Sequence, residues 1–368
     1  MKTILKSILI AFFTHTVVHN AVSQQINISF DLTNPEETIR LFKKAELNGA
    51  DLERLLNLES TKALLKKMQT GDSLVVSSLL AAKAGQSANS NQARMQYEMI
   101  VEDLDQLERF VSDLKSNEKF YEKWLNDELG PYISKEQNIE VEIVGILGGH
   151  STGYTFGDWD KFYISLHHMK GDPDFMLSIF KHELFHNIQS FRFDGRRIYD
   201  ELKGQGESEY NADYVSYLLF EALYLEGTAT YLDRWMDKKE TAANEGFIDR
   251  GRRSAQRGKY IFYLFDRLIV DVQSKPSDTE LNWIYNTFFT TKFDEAGYYM
   301  GMKITDYVLE KSGNDLTYYM DLNPITLMVD YLKYSADDGK VFYQFSEEFR
   351  ETVFRLYKQV KNLQNFDE

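Results

Sequence analysis

The chain has 368 residues, 43% of them hydrophobic, with 25 Phe, 23 Tyr and only 5 Pro. That is enough apolar mass for a full core in one large domain or two smaller ones. A formal net charge of -15 argues against non-specific nucleic-acid binding. The lack of cysteine excludes disulfides, thiolate metal sites and lipid attachment through an N-terminal Cys.

In chain order, Lys2 and Lys6 precede the apolar run Ile8-Leu9-Ile10-Ala11-Phe12-Phe13 and then Val17-Val18, and Ala21-Val22-Ser23 follows. This pattern predicts a secretory signal over residues 1–23. The run is too short and interrupted for stable membrane insertion. The expectation is an exported bacterial protein, periplasmic or secreted. Residues 24–34 read as extended, turning at Asn34-Pro35. From Glu36 to about Leu125 apolar residues recur every three or four positions, with punctuation at Asn48-Gly49 and Gly71-Asp72. A second helical block, from about Asn91 to Leu129, ends at Gly130-Pro131. Residues 24–135 are thus predicted as an N-terminal helical region, and 136–368 as the domain that carries the chemistry.

The period then changes. Ile139 to Ile146 alternates and is rich in β-branched residues, which predicts a strand. Gly148 to Gly153 reads as a flexible loop, and Lys161 to His168 as a second strand. A helix is predicted from about Asp174 to Arg192, another from Glu207 to about Lys238, and helices dominate thereafter. Arg250, Arg252, Arg253, Arg257 and Lys259 form a local basic group that reads as a solvated helix face.

The predicted helix at 174–192 contains His182-Glu183-Leu184-Phe185-His186, the H-E-x-x-H pattern. Residues four apart share a helix face, so both imidazoles can reach one ion. Glu183 is placed to act on water without being a ligand. A catalytic zinc site needs a third protein ligand and one open position. A third histidine would fall at position 192, which is Arg192, and Gln189 stands where that pattern requires glycine. A carboxylate from a later helix is the economical alternative, and Glu207, Glu209, Glu221 and Glu226 are the candidates. Glu226 is favoured because Gly227 and Ala229 after it are small and so have a packing reason to be there. His167 and His168 end what reads as an edge strand, so one of them could face a cleft. Asp213 or Glu221 could orient a ligand imidazole.

H-E-x-x-H followed by Glu226-Gly227-Thr228-Ala229 resembles the gluzincin peptidases, which implies that the small residues let the second helix pack close to the first. The wider arrangement resembles a bacterial family of zinc-dependent peptidases. Its shared elements here are the strand with its glycine loop, H-E-x-x-H, E-G-x-A and Gly297-Tyr298-Tyr299-Met300-Gly301, covering roughly residues 140–330. The resemblance implies a predominantly helical α+β fold, with a zincin-like catalytic core and a small sheet bordering the H-E-x-x-H helix. It further implies zinc on His182, His186 and Glu226, and a tyrosine, Tyr298 or Tyr299, donating to the oxyanion. A peptide or protein is the implied substrate, cleaved by zinc-activated water with Glu183 as base. The alternative is a non-catalytic exported binding or assembly protein that keeps a relic or structural metal site.

Overall fold

The computed structural model describes residues 25–361 and 363, apart from 135–137, 157–159, 194 and 205–210. The predicted signal and the candidate ligands Glu207 and Glu209 lie outside the described residues. Strand β1 (Gln25–Asp31) opens the fold, followed by helices α1 (Thr33–Lys43), α2 (Gly49–Asn57), α3 (Glu59–Met68), α4 (Asp72–Lys83), α5 (Tyr97–Glu102), α6 (Leu104–Ser116) and α7 (Glu118–Leu129). Then come β2 (Asn138–Ile146), β3 (Gly153–Tyr154) and β4 (Lys161–Ser165). The rest is helical: α8 (Pro173–Arg192), α9 (Arg196–Gly204), α10 (Ala212–Asp233), α11 (Glu245–Arg257), α12 (Lys259–Ser274), α13 (Asp278–Phe288), α14 (Ala296–Ser312), α15 (Leu316–Met320), α16 (Ile325–Ser335) and α17 (Glu347–Val360). The protein is a predominantly helical α+β fold with one small mixed sheet. No helix among the described residues is long and apolar enough to cross a membrane.

The sheet runs in the order β1-β2-β4-β3. β1 and β4 flank β2 in parallel, and β3 pairs antiparallel with β4. The strand before the H-E-x-x-H helix is therefore interior, not the edge that its sequence suggested. β4 also stops at Ser165, and Leu166–Met169 is a 3-10 turn. Asn34 and Pro35 lie in the first turn of α1, not in a separate turn. Proline is tolerated there because that N–H has no intrahelical partner.

The outer edge of β1 is covered by side chains of α7. Ile26 N–H donates to Asn126 Oδ1 (2.7 Å), Ile28 N–H to Glu122 Oε2 (3.3 Å) and Phe30 N–H to Glu118 Oε2 (3.4 Å), while Asn126 Nδ2 returns a bond to the Ile26 carbonyl (2.7 Å). These bonds satisfy donors that an open sheet edge would leave unpaired.

Two apolar clusters form the interior. One joins the sheet, the N-terminal helices and the Phe175, Phe180, Leu184, Phe185 and Ile188 face of α8. The other joins α10, α12, α14, α16 and α17 around Phe220, Phe265, Met300, Leu332 and Phe349. α10 touches both, because Ala229 belongs to the first cluster while Val215, Leu219 and Phe220 belong to the second. Gly227 has a different partner from the one the resemblance implied. A Cβ there would lie 2.4 Å from Gly301 Cα, and one on Gly301 would lie 2.4 Å from the Leu223 carbonyl oxygen. The glycine thus lets α10 touch α14, not α8.

Gly227→Ala is expected to cost about 2 kcal/mol or more, because overpacking against backbone outweighs the roughly 1 kcal/mol of helix propensity gained. Urea unfolding checks this beside Gly130→Ala, where nothing lies within 4 Å of the added methyl. Equal midpoints for the two variants would contradict the close approach.

Candidate metal centre

α8 begins at Asp172, whose Oδ1 accepts from the Asp174 (3.0 Å) and Phe175 (3.1 Å) amides, with Pro173 at the first helical position. α10 begins at Asn211, whose side chain accepts from Tyr214 N–H (2.8 Å). The two helices run antiparallel. Ser178, early in α8, donates to the buried Asp233 at the end of α10 (2.7 Å). Gln189, later in α8, meets Leu225 and Thr228, earlier in α10.

Between these fixed points three side chains converge. His182 Nε2 and His186 Nε2 are 3.2 Å apart, and Glu226 Oε2 lies 3.4 Å from the first and 3.3 Å from the second. Among the described residues this is the group of three whose ligand atoms could hold one metal ion. A tetrahedral zinc with bonds of about 2.0–2.1 Å has ligand atoms about 3.3–3.4 Å apart. The observed edges, 3.2, 3.3 and 3.4 Å, come within about 0.2 Å of that. The donor set, two imidazoles and one carboxylate, also suits zinc.

Electrostatics favour a cation here. Burial opposes charge on His186, yet Glu226, followed by Glu183 and Gln189, raises its imidazole to about 9. Burial likewise opposes charge on Glu226, and the two imidazoles hold its carboxyl well below the usual range. Glu183 is partly exposed on the same helix turn. Its charge is felt by His186 and by Tyr298.

Tyr298 and Tyr299 point to different surroundings, as adjacent residues on a helix do. The Tyr298 ring stacks on His182, centroids 5.9 Å apart and 7° from parallel, whereas Tyr299 is buried in the second apolar cluster. Burial, then Glu226, Glu295 and Glu183, push the Tyr298 phenol well above its usual range, so it remains a donor. The start of α14 is pinned from α11. Asp294 and Glu295 sit at φ 57° and 52°, and they are held by Arg253 (2.8 Å), Arg257 (2.6 Å) and Arg250 (2.9 Å). Most of the basic group is thus paired with acids of this turn, not simply solvated. Tyr285 of α13 was missed by sequence reading. It is 42% exposed, its ring lies against Phe289 (5.3 Å), and Phe289 packs on Gly297 beside Tyr298. Its phenol is pushed up to about 12 by burial and by Glu226. With 23 tyrosines in the chain, no local pattern marks this one.

The other candidates lie elsewhere. His167 is 2% exposed and contacts the Gly149 carbonyl and Gln96, and burial pushes its imidazole down to about 3. His168 also contacts the Gly149 carbonyl (3.3 Å). The glycine loop is itself tied down, with Gly149 at φ 82° donating to the Met95 carbonyl. Asp213 pairs with Arg355, and Glu221 accepts from Tyr199 Oη (2.6 Å). Gln189 is the residue whose side chain meets a candidate imidazole, with Oε1 2.8 Å from His186 Nδ1.

Residues 52–333 match the family described as "Putative zinc dependent peptidase" (DUF5700). The chain belongs to this family. The match begins well before residue 140, so it takes in most of the N-terminal helices, which the motifs alone did not reach. The family is described as zinc dependent, in agreement with the donor set. No curated protein and no solved structure matches the chain.

Burial pushes the Glu221 carboxyl up to about 7 against the pull of Tyr199. The native state therefore keeps a proton that the unfolded chain releases near pH 4.5, so this group's contribution to stability falls as pH rises from 4.5 to 7. Glu221→Gln is expected to raise stability on the order of 2–3 kcal/mol at pH 8, with the gain vanishing near pH 4. Thermal melts across that range check it; a gain independent of pH would contradict a protonated Glu221.

Proposed function

We propose that the protein is an exported zinc metallopeptidase. His182, His186 and Glu226 hold the metal, Glu183 is the general base, and Tyr298 is a hydrogen-bond donor to the oxyanion. The observation that carries this reading is the triangle of ligand atoms, with edges of 3.2, 3.3 and 3.4 Å. Bound zinc supplies Lewis acidity, lowering the pKa of water and polarising a carbonyl.

The chain's own residues divide the remaining work. Glu183 follows His182 directly and is rotated by about 100° around the helix. It is thereby off the line of ligands but beside the site. It accepts the proton of the attacking water and passes it to the leaving amine. Tyr298, held protonated and stacked on His182, donates to the oxygen on which charge develops. The ion pairs from α11 to Asp294 and Glu295 hold the turn from which α14 carries Tyr298.

The test combines elemental analysis with cleavage of a quenched-fluorescent peptide library. Wild type is expected to carry about one zinc and Glu226→Ala none. Glu183→Gln should keep its zinc while hydrolysis falls roughly 10²–10⁴-fold. Tyr298→Phe should lower kcat about 10²-fold with zinc retained. A wild type that takes up no zinc after reconstitution would sink the reading and favour a binding protein; undiminished hydrolysis by Glu183→Gln would remove the base. Export rests on the charged-then-apolar segment at residues 1–23. N-terminal sequencing of protein from its native host is expected to start near Gln24, and an intact Met1 would overturn that part.

A further inference from the structure

Gln189 is 2% exposed and uses both ends of its amide between the two helices of the candidate centre. We infer that Gln189 is a positioning residue. It holds His186 with its hydrogen on Nδ1 and its Nε2 lone pair toward the centre, and it ties that imidazole to the helix carrying Glu226. The inference rests on the metal-centre reading above.

The direction of each hydrogen bond follows from groups that have no choice. The Tyr224 carbonyl can only accept, and Thr228 Oγ1 lies 2.7 Å from it. The threonine hydrogen is therefore spent there, and its oxygen is left to accept. Gln189 Nε2 lies 2.6 Å from Thr228 Oγ1 and 3.3 Å from the Leu225 carbonyl. The amide nitrogen must face this pair, because the reversed amide would set three acceptor oxygens against one another. Oε1 is then turned to His186 Nδ1 at 2.8 Å, and it can only accept. An imidazole must be neutral to bind a metal, and its single N–H is then the one on Nδ1, which leaves the Nε2 lone pair free. That nitrogen is the one facing His182 Nε2 and Glu226 Oε2.

The choice of an amide also has a consequence. A carboxylate at this position would accept from Nδ1 equally well, but it would meet the Leu225 carbonyl and the Thr228 oxygen with no donor. It would also add a negative charge near Glu183 and Glu226. Glutamine orients the ring without either penalty. Buried on α8 and bonded to α10, it makes the ring's orientation and the helix spacing one property.

The experiment uses the full zinc-loaded chain, its histidines labelled with nitrogen-15. Wild type is expected to show a slowly exchanging His186 Nδ1–H proton in the NMR spectrum, assigned by its loss in His186→Ala. Gln189→Leu is expected to lose or shift that proton and to weaken zinc binding 10–100-fold in chelator competition. Thr228→Val, nearly isosteric and so expected to fold, frees the amide to turn. It should weaken zinc binding to a smaller extent and broaden the same proton signal. If both variants bind zinc as tightly as wild type with the His186 proton unchanged, the inference is overturned while the metal centre stands. If wild type binds no zinc, the reading beneath it has failed instead.

Discussion

Helix axes can come as close as α10 and α14 do only where both helices lack a side chain, and Gly227 and Gly301 meet backbone to backbone. Much of the site hangs on this contact. Glu226 immediately precedes one of these glycines, and Tyr298 lies three residues before the other. The close approach therefore sets the height of the carboxylate and of the phenol together. On its other side α10 reaches the first apolar cluster through Ala229 and α8 through Asp233 and Thr228. The centre is built at a seam between two cores, and α10 is the element that both share.

A seam of this kind is a costly place for a carboxylate, since burial alone drives Glu226 toward neutrality. Two imidazoles reverse the outcome, and the same attraction lifts His186. The cluster as a whole calls for positive charge. A divalent ion meets that need in place of the imidazole proton, at ligand atoms that already converge. Tyr298 is held in the opposite state: three nearby carboxylates and its own burial keep its proton on.

The parts legible in the sequence were those set by local period. The H-E-x-x-H helix, strand β2 and the helix carrying Glu226 all follow from the spacing of apolar residues. What sequence could not show was which elements become neighbours. β4 reads as an edge because its partner β3 has only two residues, too few to leave a pattern. Gly227 has a clear packing reason, but its partner lies 74 positions away in the chain. Gln189 is visible in the sequence only as the residue that breaks a three-histidine pattern; its role depends on Leu225 and Thr228 across a helix interface. His167 is a buried hub of a tight turn because the preceding strand stops three residues early.

The α7 cover of β1 works as a vernier. Four residues of helix advance about 6 Å, and two residues of strand advance about 6.6 Å. One helix face can thus address every second amide of a strand, but each rung adds a misfit of roughly half an ångström. The rungs measure 2.7 Å at Asn126, 3.3 Å at Glu122 and 3.4 Å at Glu118, the two longer ones being made by the longer, more adaptable glutamates. A fourth rung would fall out of phase. Insulating a sheet margin with a single straight helix therefore sets an upper limit on strand length, and β1, with seven residues, stays within it.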